Sequence, residues 1–242
     1  MSKHLSRLVF SPIQKQEDFI YLSTEQQHYL KRVLRLGESD RLILMDGQGK
    51  SWLAEIQGVK AQLLELTDFK TELSVNISLI TALPKGNGYE QIIRCGTELG
   101  VNCFIPVFSD RSILKPSDNK VERWRKIVTE AAEQSERQIV PQIITPIPFS
   151  DALTNLIPSN SDRFICVTRR ATSSLMTVLQ NSSQQNIVIA TGAEGGWTEA
   201  EIVKAMTYNF QAVSLGKRIL RAITAPITAL SLVTAILEKE EM

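Results

Sequence analysis

The segment Ile187-Val-Ile-Ala-Thr-Gly-Ala-Glu-Gly-Gly-Trp-Thr-Glu-Ala-Glu201 has what a ligand-binding loop needs. An apolar run ends at Thr191, and Gly192, Gly195 and Gly196 follow it. Thr198 and Glu201 then have the spacing of a capping box that starts a helix. Glycines let the backbone approach a bound molecule closely and adopt positive φ. A loop of this kind, between a strand and a helix at the carboxyl edge of a sheet, is where open α/β folds bind ligands. The plainer alternative is a tight strand-to-helix connection that binds nothing. The glycines do not form Gly-x-Gly-x-x-Gly, and no Gly-Lys-Ser/Thr accompanies them, which disfavours classical dinucleotide and triphosphate sites.

A second loop, Ser214-Leu-Gly-Lys-Arg-Ile-Leu-Arg-Ala-Ile-Thr-Ala-Pro226, sets Lys217, Arg218 and Arg221 around apolar Ile219 and Leu220. Such a pair can wall an adenine ring while the bases face an anion. Equally, it can belong to the core at the basic start of a helix.

The elements that hold these loops follow from hydrophobic periodicity. Residues 1 to about 72 read as mostly β: Arg41–Asp46 and Ser51–Ile56 form a hairpin around Gly47–Lys50, and Leu63–Leu66 adds a strand. One helix interrupts them, with a capping box at Ser23 and Gln26, a stripe of Leu30, Val33 and Leu34, and Gly37 to close it. A small barrel carrying one helix fits. From Val75 onward, the apolar runs Val75–Leu83, Val101–Phe108, Phe164–Thr168, Ile187–Thr191 and Ala212–Leu215 alternate with helical patterns at Tyr89–Leu99, Lys120–Gln138, Thr198–Thr207 and Ala222–Lys239. This alternation predicts an α/β domain with a mainly parallel sheet. In the helix from Lys120, Trp124, Ile127, Val128 and Ala131 share a face, and Asn119 with Glu122 is a candidate cap. The boundary is expected within Asp68–Ser74. The last helix is apolar over much of its circumference, at Ile223, Ile227, Leu230, Leu232, Val233, Ile236 and Leu237, which predicts a homodimer.

Composition excludes several classes. No apolar run is long enough to span a membrane, and Met1–Phe10 lacks the apolar centre of a secretory signal, so a cytoplasmic location is expected. Cys95, Cys103 and Cys166 form no Cys-x-x-Cys pair and are expected to be free thiols. With only His4 and His28, a zinc site is not expected. A net charge of +1 means that any nucleic-acid surface is a local patch.

Seven segments, in order along the chain, together resemble the RsmE family of SPOUT-type enzymes, which methylate N3 of a uridine in small-subunit (16S) ribosomal RNA. They are Leu83-Pro-Lys-Gly86, Thr97-Glu-Leu-Gly-Val101, Ser109-Asp-Arg-Ser112, Arg123-Trp124, Glu130-Ala-Ala-Glu-Gln-Ser-Glu-Arg137, Gly192-Ala-Glu-Gly-Gly196 and Leu215-Gly-Lys-Arg-Ile-Leu-Arg221. His28 and Val33-Leu-Arg35 match the family's N-terminal signature. The resemblance implies a PUA-like RNA-binding barrel over residues 1–72 and a methyltransferase domain with a deep trefoil knot over 73–242, working as a homodimer. It implies that S-adenosyl-L-methionine sits in the knot against Val167, Thr168, Thr191, Gly192, Glu194, Gly195, Gly196, Leu215, Gly216, Ile219 and Leu220. Three positions depart from the family: Ala193 replaces a proline, Cys95 a lysine and Ile223 a glutamate.

Methyl transfer to a uracil nitrogen requires orientation of donor and acceptor and loss of the N3 proton. In the implied roles, Arg111 and Arg221 stabilise charge on the uracil oxygens. Glu194 either accepts a proton or holds the cofactor's amino group. No metal is needed. His28, Arg32, Arg35, Lys85, Arg137 and Lys217 are the candidate RNA contacts, with Lys31 beside them; phosphate contacts of this kind position a strand without reading its sequence. Two other readings compete with uridine N3 methylation: another SPOUT activity such as ribose 2′-O methylation, and a non-catalytic RNA-binding protein.

Overall fold

Three successive antiparallel strands between Arg41 and Thr67 form the middle of the first sheet. The computed structural model of the chain describes residues 5–180 and 185–239; His4 and the start of the Met1–Phe10 segment lie outside them. The chain divides into two units, Met1–Glu72 with Ala132–Val140, and Leu73–Ala131 with Pro141–Met242.

The first unit comprises β1 (Arg7–Val9), β2 (Lys15–Gln16), β3 (Phe19–Tyr21), α1 (Thr24–Arg32), β4 (Arg41–Met45), β5 (Ser51–Gln57) and β6 (Lys60–Thr67). They form a six-stranded sheet in the order β1-β4-β5-β6-β3-β2. The expected hairpin is β4–β5, and its apolar face, Leu42, Leu44, Ala54 and Ile56, packs with Leu8, Phe10, Ile20 and Leu30. The capping box at Ser23 and Gln26 is present. The end of α1 differs from the sequence expectation. Arg35, not Gly37, takes the left-handed conformation (φ +56°), and Leu36 N–H donates to Leu30 O at 2.9 Å. The helix therefore stops at Arg32, and Val33 falls outside the buried stripe at 61% exposure.

The second unit contains β7 (Asn76–Ala82), α2 (Gly88–Glu98), β8 (Val101–Phe108), α3 (Asp118–Gln134, up to Ala131), β9 (Gln142–Ile143), β10 (Ile147–Pro148), α4 (Phe149–Asn155), β11 (Asp162–Cys166), α5 (Leu175–Leu179), β12 (Asn186–Thr191), α6 (Glu199–Thr207), β13 (Gln211–Val213) and α7 (Thr224–Lys239). Its sheet runs β10-β8-β7-β12-β11-β13, with β9 also on β8, and every described pairing is parallel. Both faces are covered, so strands such as Ile187–Thr191 are apolar without alternation. On α2, Gly96 is required by contact: a Cβ there would lie 2.7 Å from the Phe104 ring. Trp124, fully buried on α3, meets Tyr89 edge-on at 4.5 Å.

Helix α3 also departs from expectation. It begins at Asp118, which places Asn119 inside it, and Ser117 O accepts from Lys120 and Val121. It ends at Gln134 because Glu136 turns to φ +64°. Residues 138–140 then pair with the β4–β5 turn through Gly49 N–H to Gln138 O (3.2 Å) and Val140 N–H to Gly47 O (2.9 Å).

The three cysteines are free thiols. Burial pushes the Cys103 thiol up to about 11 and the Cys166 thiol up to about 12. Burial also raises Cys95, with Glu98 adding to the effect. An unfolded thiol titrates near about 8.5. The stabilisation from protonated buried thiols is thus complete below that value and is lost as pH rises through about 11 to 12. At pH 8 the native chain is expected to react with Ellman's reagent at least about tenfold more slowly than the chain in guanidinium, because the thiolate is the nucleophile. Equal rates would contradict the burial argument.

Candidate cofactor site

In the order β12-β11-β13, three neighbouring parallel strands end at the same edge of the sheet. The loops leaving those ends surround a cavity of about 460 Å³. That volume lies within the usual range for small-ligand sites. Its lining includes Val167 and Thr168 after β11, Thr191 to Gly196 after β12, and Leu215, Gly216, Ile219 and Leu220 after β13. The structure therefore brings all the candidate cofactor residues to one place, with Arg111 beside them. Ile219 is 63% exposed, which rules out the alternative that it is a core residue.

The glycine loop is shaped by its own close contacts. A Cβ on Gly192 would lie 3.0 Å from Gly196 Cα, and one on Gly195 would lie 3.0 Å from Arg111 Cδ. Gly196 has φ +67°, a conformation that side chains rarely adopt. Arg111 Nη1 donates to Gly195 O (2.6 Å) and Trp197 O (3.2 Å). The neighbouring Asp110 N–H donates to Glu201 Oε1 (3.0 Å), while Glu201 Oε2 accepts from Thr198 N–H (2.7 Å) to complete the cap of α6. Trp197 stacks on Phe149 at 4.4 Å and fixes the far end of the loop. Ser109-Asp-Arg-Ser112 is therefore the clamp of the glycine loop.

Glu194 lines the cavity and accepts the Lys85 backbone N–H through Oε1 (3.0 Å), which brings the Leu83–Gly86 segment alongside. Thr191 is fully buried on the cavity wall, and its hydroxyl has no partner among the described residues. Arg221 does not line the cavity. Arg221 is exposed, and Arg218, Ala222 and Ala225 are the residues around it that line the wall.

Periodicity did not mark several other wall residues: Arg169, Arg170, Cys166, Trp197 and Ile202. Arg169 and Arg170 directly follow Thr168, and their adjacency to a strand end was the available signal. At the departures, Ala193 is buried in the loop. Ile223 packs against Gly88, where a Cβ would lie 2.9 Å from Ile223 Cδ1, so an apolar contact stands where the family has a carboxylate. Cys95 is half-buried on α2.

Among the candidate RNA contacts, His28, Arg32, Arg35, Lys85 and Lys217 are exposed, as is Lys31. Arg137 is not. It is 3% exposed, and its Nη2 and Nε donate to Glu72 Oε2 at 2.6 and 3.1 Å. Glu72 also accepts the backbone N–H of Gln138 and Ile139. Arg137 is therefore an internal staple of the first unit, and its donors do not face a phosphate.

A family model for an RNA methyltransferase domain matches residues 71–234, and one for an RNA methyltransferase PUA domain matches residues 22–68. A Synechocystis protein named ribosomal RNA small subunit methyltransferase E is 48% identical over 236 residues, covering 96% of this chain and 78% of its own length. A Bacillus subtilis protein of the same name is 32% identical, covering 97% of this chain and 96% of its own length. The solved structure of ribosomal RNA small subunit methyltransferase E from Neisseria gonorrhoeae, bound to S-adenosyl methionine, is similar with a TM-score of 0.86 and 31% identity over 96% of this chain and 98% of that one. With its mixed α/β fold and N-terminal PUA-like domain, the chain belongs to the ribosomal RNA small subunit methyltransferase E family.

Proposed function

We propose that this protein transfers a methyl group from S-adenosylmethionine to N3 of a uridine in small-subunit (16S) ribosomal RNA. The observation that carries the proposal is the cavity at the ends of β11, β12 and β13, clamped by Arg111. Its residues fit the cofactor. Val167, Leu215, Ile219 and Leu220 offer apolar walls for a flat ring, and the Thr191 hydroxyl offers a buried polar group that a ligand can satisfy. When bound, S-adenosylmethionine supplies the electrophilic methyl group. Arg111 favours the anionic form of the uracil by its charge. Glu194, at the cavity edge, is the carboxylate we assign to take the N3 proton. Arg221 carries no role in this scheme.

We further assign RNA binding to residues 1–72, read as a PUA-like barrel, through His28, Arg32 and Arg35, with Lys85 and Lys217 contributing from residues 73–242. The second region is read as a SPOUT domain whose deep trefoil knot is tied by the three cavity loops. Family membership supports both readings. Half-exposed Ile227, Leu232, Ile236 and Leu237 on α7 support a homodimer. Light scattering is expected to give twice the 27.1 kDa chain mass; a single-chain mass would count against it. We place the protein in the cytoplasm, where its ribosomal substrate is made. No described helix is long and apolar enough to cross a membrane.

Incubating the protein with S-adenosylmethionine and unmodified small-subunit RNA is expected to yield 3-methyluridine in a nucleoside digest. A 2′-O-methylated nucleoside, or no methylated nucleoside, would contradict the proposal. In the same assay, Arg32→Ala with Arg35→Ala is expected to raise the RNA concentration needed and to flatten the salt dependence by roughly one unit of slope per lost contact. Cofactor affinity should not change. An unaltered salt slope would remove α1 from the RNA surface.

A further inference from the structure

A second cavity, of about 620 Å³, is continuous with the first and shares Thr168, Arg169, Arg170, Gly216, Arg218 and Ile219 with it; Thr172, Ser174, Ser214 and Lys217 line the second one alone. It lies between the loops that follow β11 and β13. Those loops are tied at the base: Leu175 N–H donates to Ser214 O (2.9 Å), and Ser214 N–H donates to Ser173 O (3.0 Å). Since β11 and β13 are neighbours in the sheet, the position of the cavity is fixed by the core.

The chemistry of this cavity is one-sided. Four cations, Arg169, Arg170, Lys217 and Arg218, line it, and no acidic residue does. Arg170 is paired with Glu199. The other three form no ion pair with a described residue. The Thr172 hydroxyl on the wall is buried and has no partner among the described residues. Arg169 holds φ +57°, a conformation uncommon outside glycine, at the point where its side chain serves both cavities. Like charges gathered around an unpaired donor repel one another unless an anion joins them.

We propose that this cavity is the subsite for an RNA phosphodiester next to the target nucleotide. Arg169 and Lys217 supply the charge and Thr172 supplies a neutral donor. The inference rests on the methyltransferase reading above: the reacting base enters the glycine-loop cavity while the adjoining backbone is held next door. One other source has the same anionic chemistry, the carboxylate of S-adenosylmethionine itself, and the test separates the two.

Arg169→Ala, Lys217→Ala, Thr172→Val and Arg169→Lys are made in the full chain. KM for small-subunit RNA, kcat and the salt dependence of RNA binding are measured, with cofactor Kd from calorimetry. Arg169→Ala and Lys217→Ala are each expected to raise KM for RNA by about tenfold and to flatten the salt slope by roughly one unit. For Lys217→Ala, at a residue that lines the second cavity and not the first, the cofactor Kd should be unchanged. Thr172→Val should raise KM by a few-fold with the salt slope intact, since it removes no charge. Arg169→Lys should restore most of the binding, which a merely structural role for Arg169 would not predict. Weaker cofactor binding with unchanged RNA KM would assign the cations to the cofactor's carboxylate and overturn the proposal. No change in either quantity would overturn it as well. Should the wild type transfer no methyl group to this RNA, the methyltransferase reading fails, and filter binding of the same RNA to the same variants still decides whether the phosphate subsite exists.

Discussion

The contact on which the rest of the site depends is the one between Arg111 and the glycine loop. One guanidinium nitrogen holds the carbonyls of Gly195 and Trp197, and the aliphatic part of the side chain lies where a Cβ on Gly195 would stand. A loop with three glycines in five residues has much conformational freedom to lose on ordering. The clamp limits that freedom before any ligand arrives, so less ordering remains to be done on binding. The adjoining Asp110–Glu201 contact ties the same clamp to the start of α6. Strand end, loop and helix start are thus fixed as one piece.

The sheet explains why the chemistry gathers there. Parallel strands send successive loops to the same edge, and the order β12-β11-β13 makes neighbours of three loops that are separated in the sequence. Each brings something different: Val167 and Thr168 with the adjoining arginines from β11, an open backbone and Glu194 from β12, and an apolar rim with further cations from β13. The near-neutral net charge of the chain is compatible with a basic site because four cations gather locally in two of those loops.

Much of this was legible in the sequence, for identifiable reasons. The apolar runs that became β7, β8, β11 and β12 were clear because strands buried on both faces need continuous apolar residues. The capping boxes at Ser23 and Thr198 were clear because their chemistry is local. What stayed hidden depends on partners distant in the chain or on backbone choices with no residue signature. Arg35 and Glu136 end their helices at positive φ without glycine. Arg137 resembles an exposed base at a helix end, yet Glu72, 65 residues away, takes it into the interior. Arg221 and Arg218 are alike in sequence, and only the turn into α7 decides that Arg218 faces the cavity. The clamp role of Arg111 was likewise invisible, since the carbonyls it holds lie 84 and 86 residues further on.

The central claim is that the Arg111-clamped glycine loop forms an S-adenosylmethionine site within a single chain. Isothermal titration of S-adenosylmethionine into the wild type and Gly195→Val tests it directly, with thermal unfolding followed in parallel. The account predicts one cofactor per chain for the wild type. For the variant it predicts binding weaker by at least about tenfold, equivalent to about 1.4 kcal/mol, with the cooperative unfolding transition retained. Undiminished binding by the folded variant, or no binding by the wild type, would contradict it.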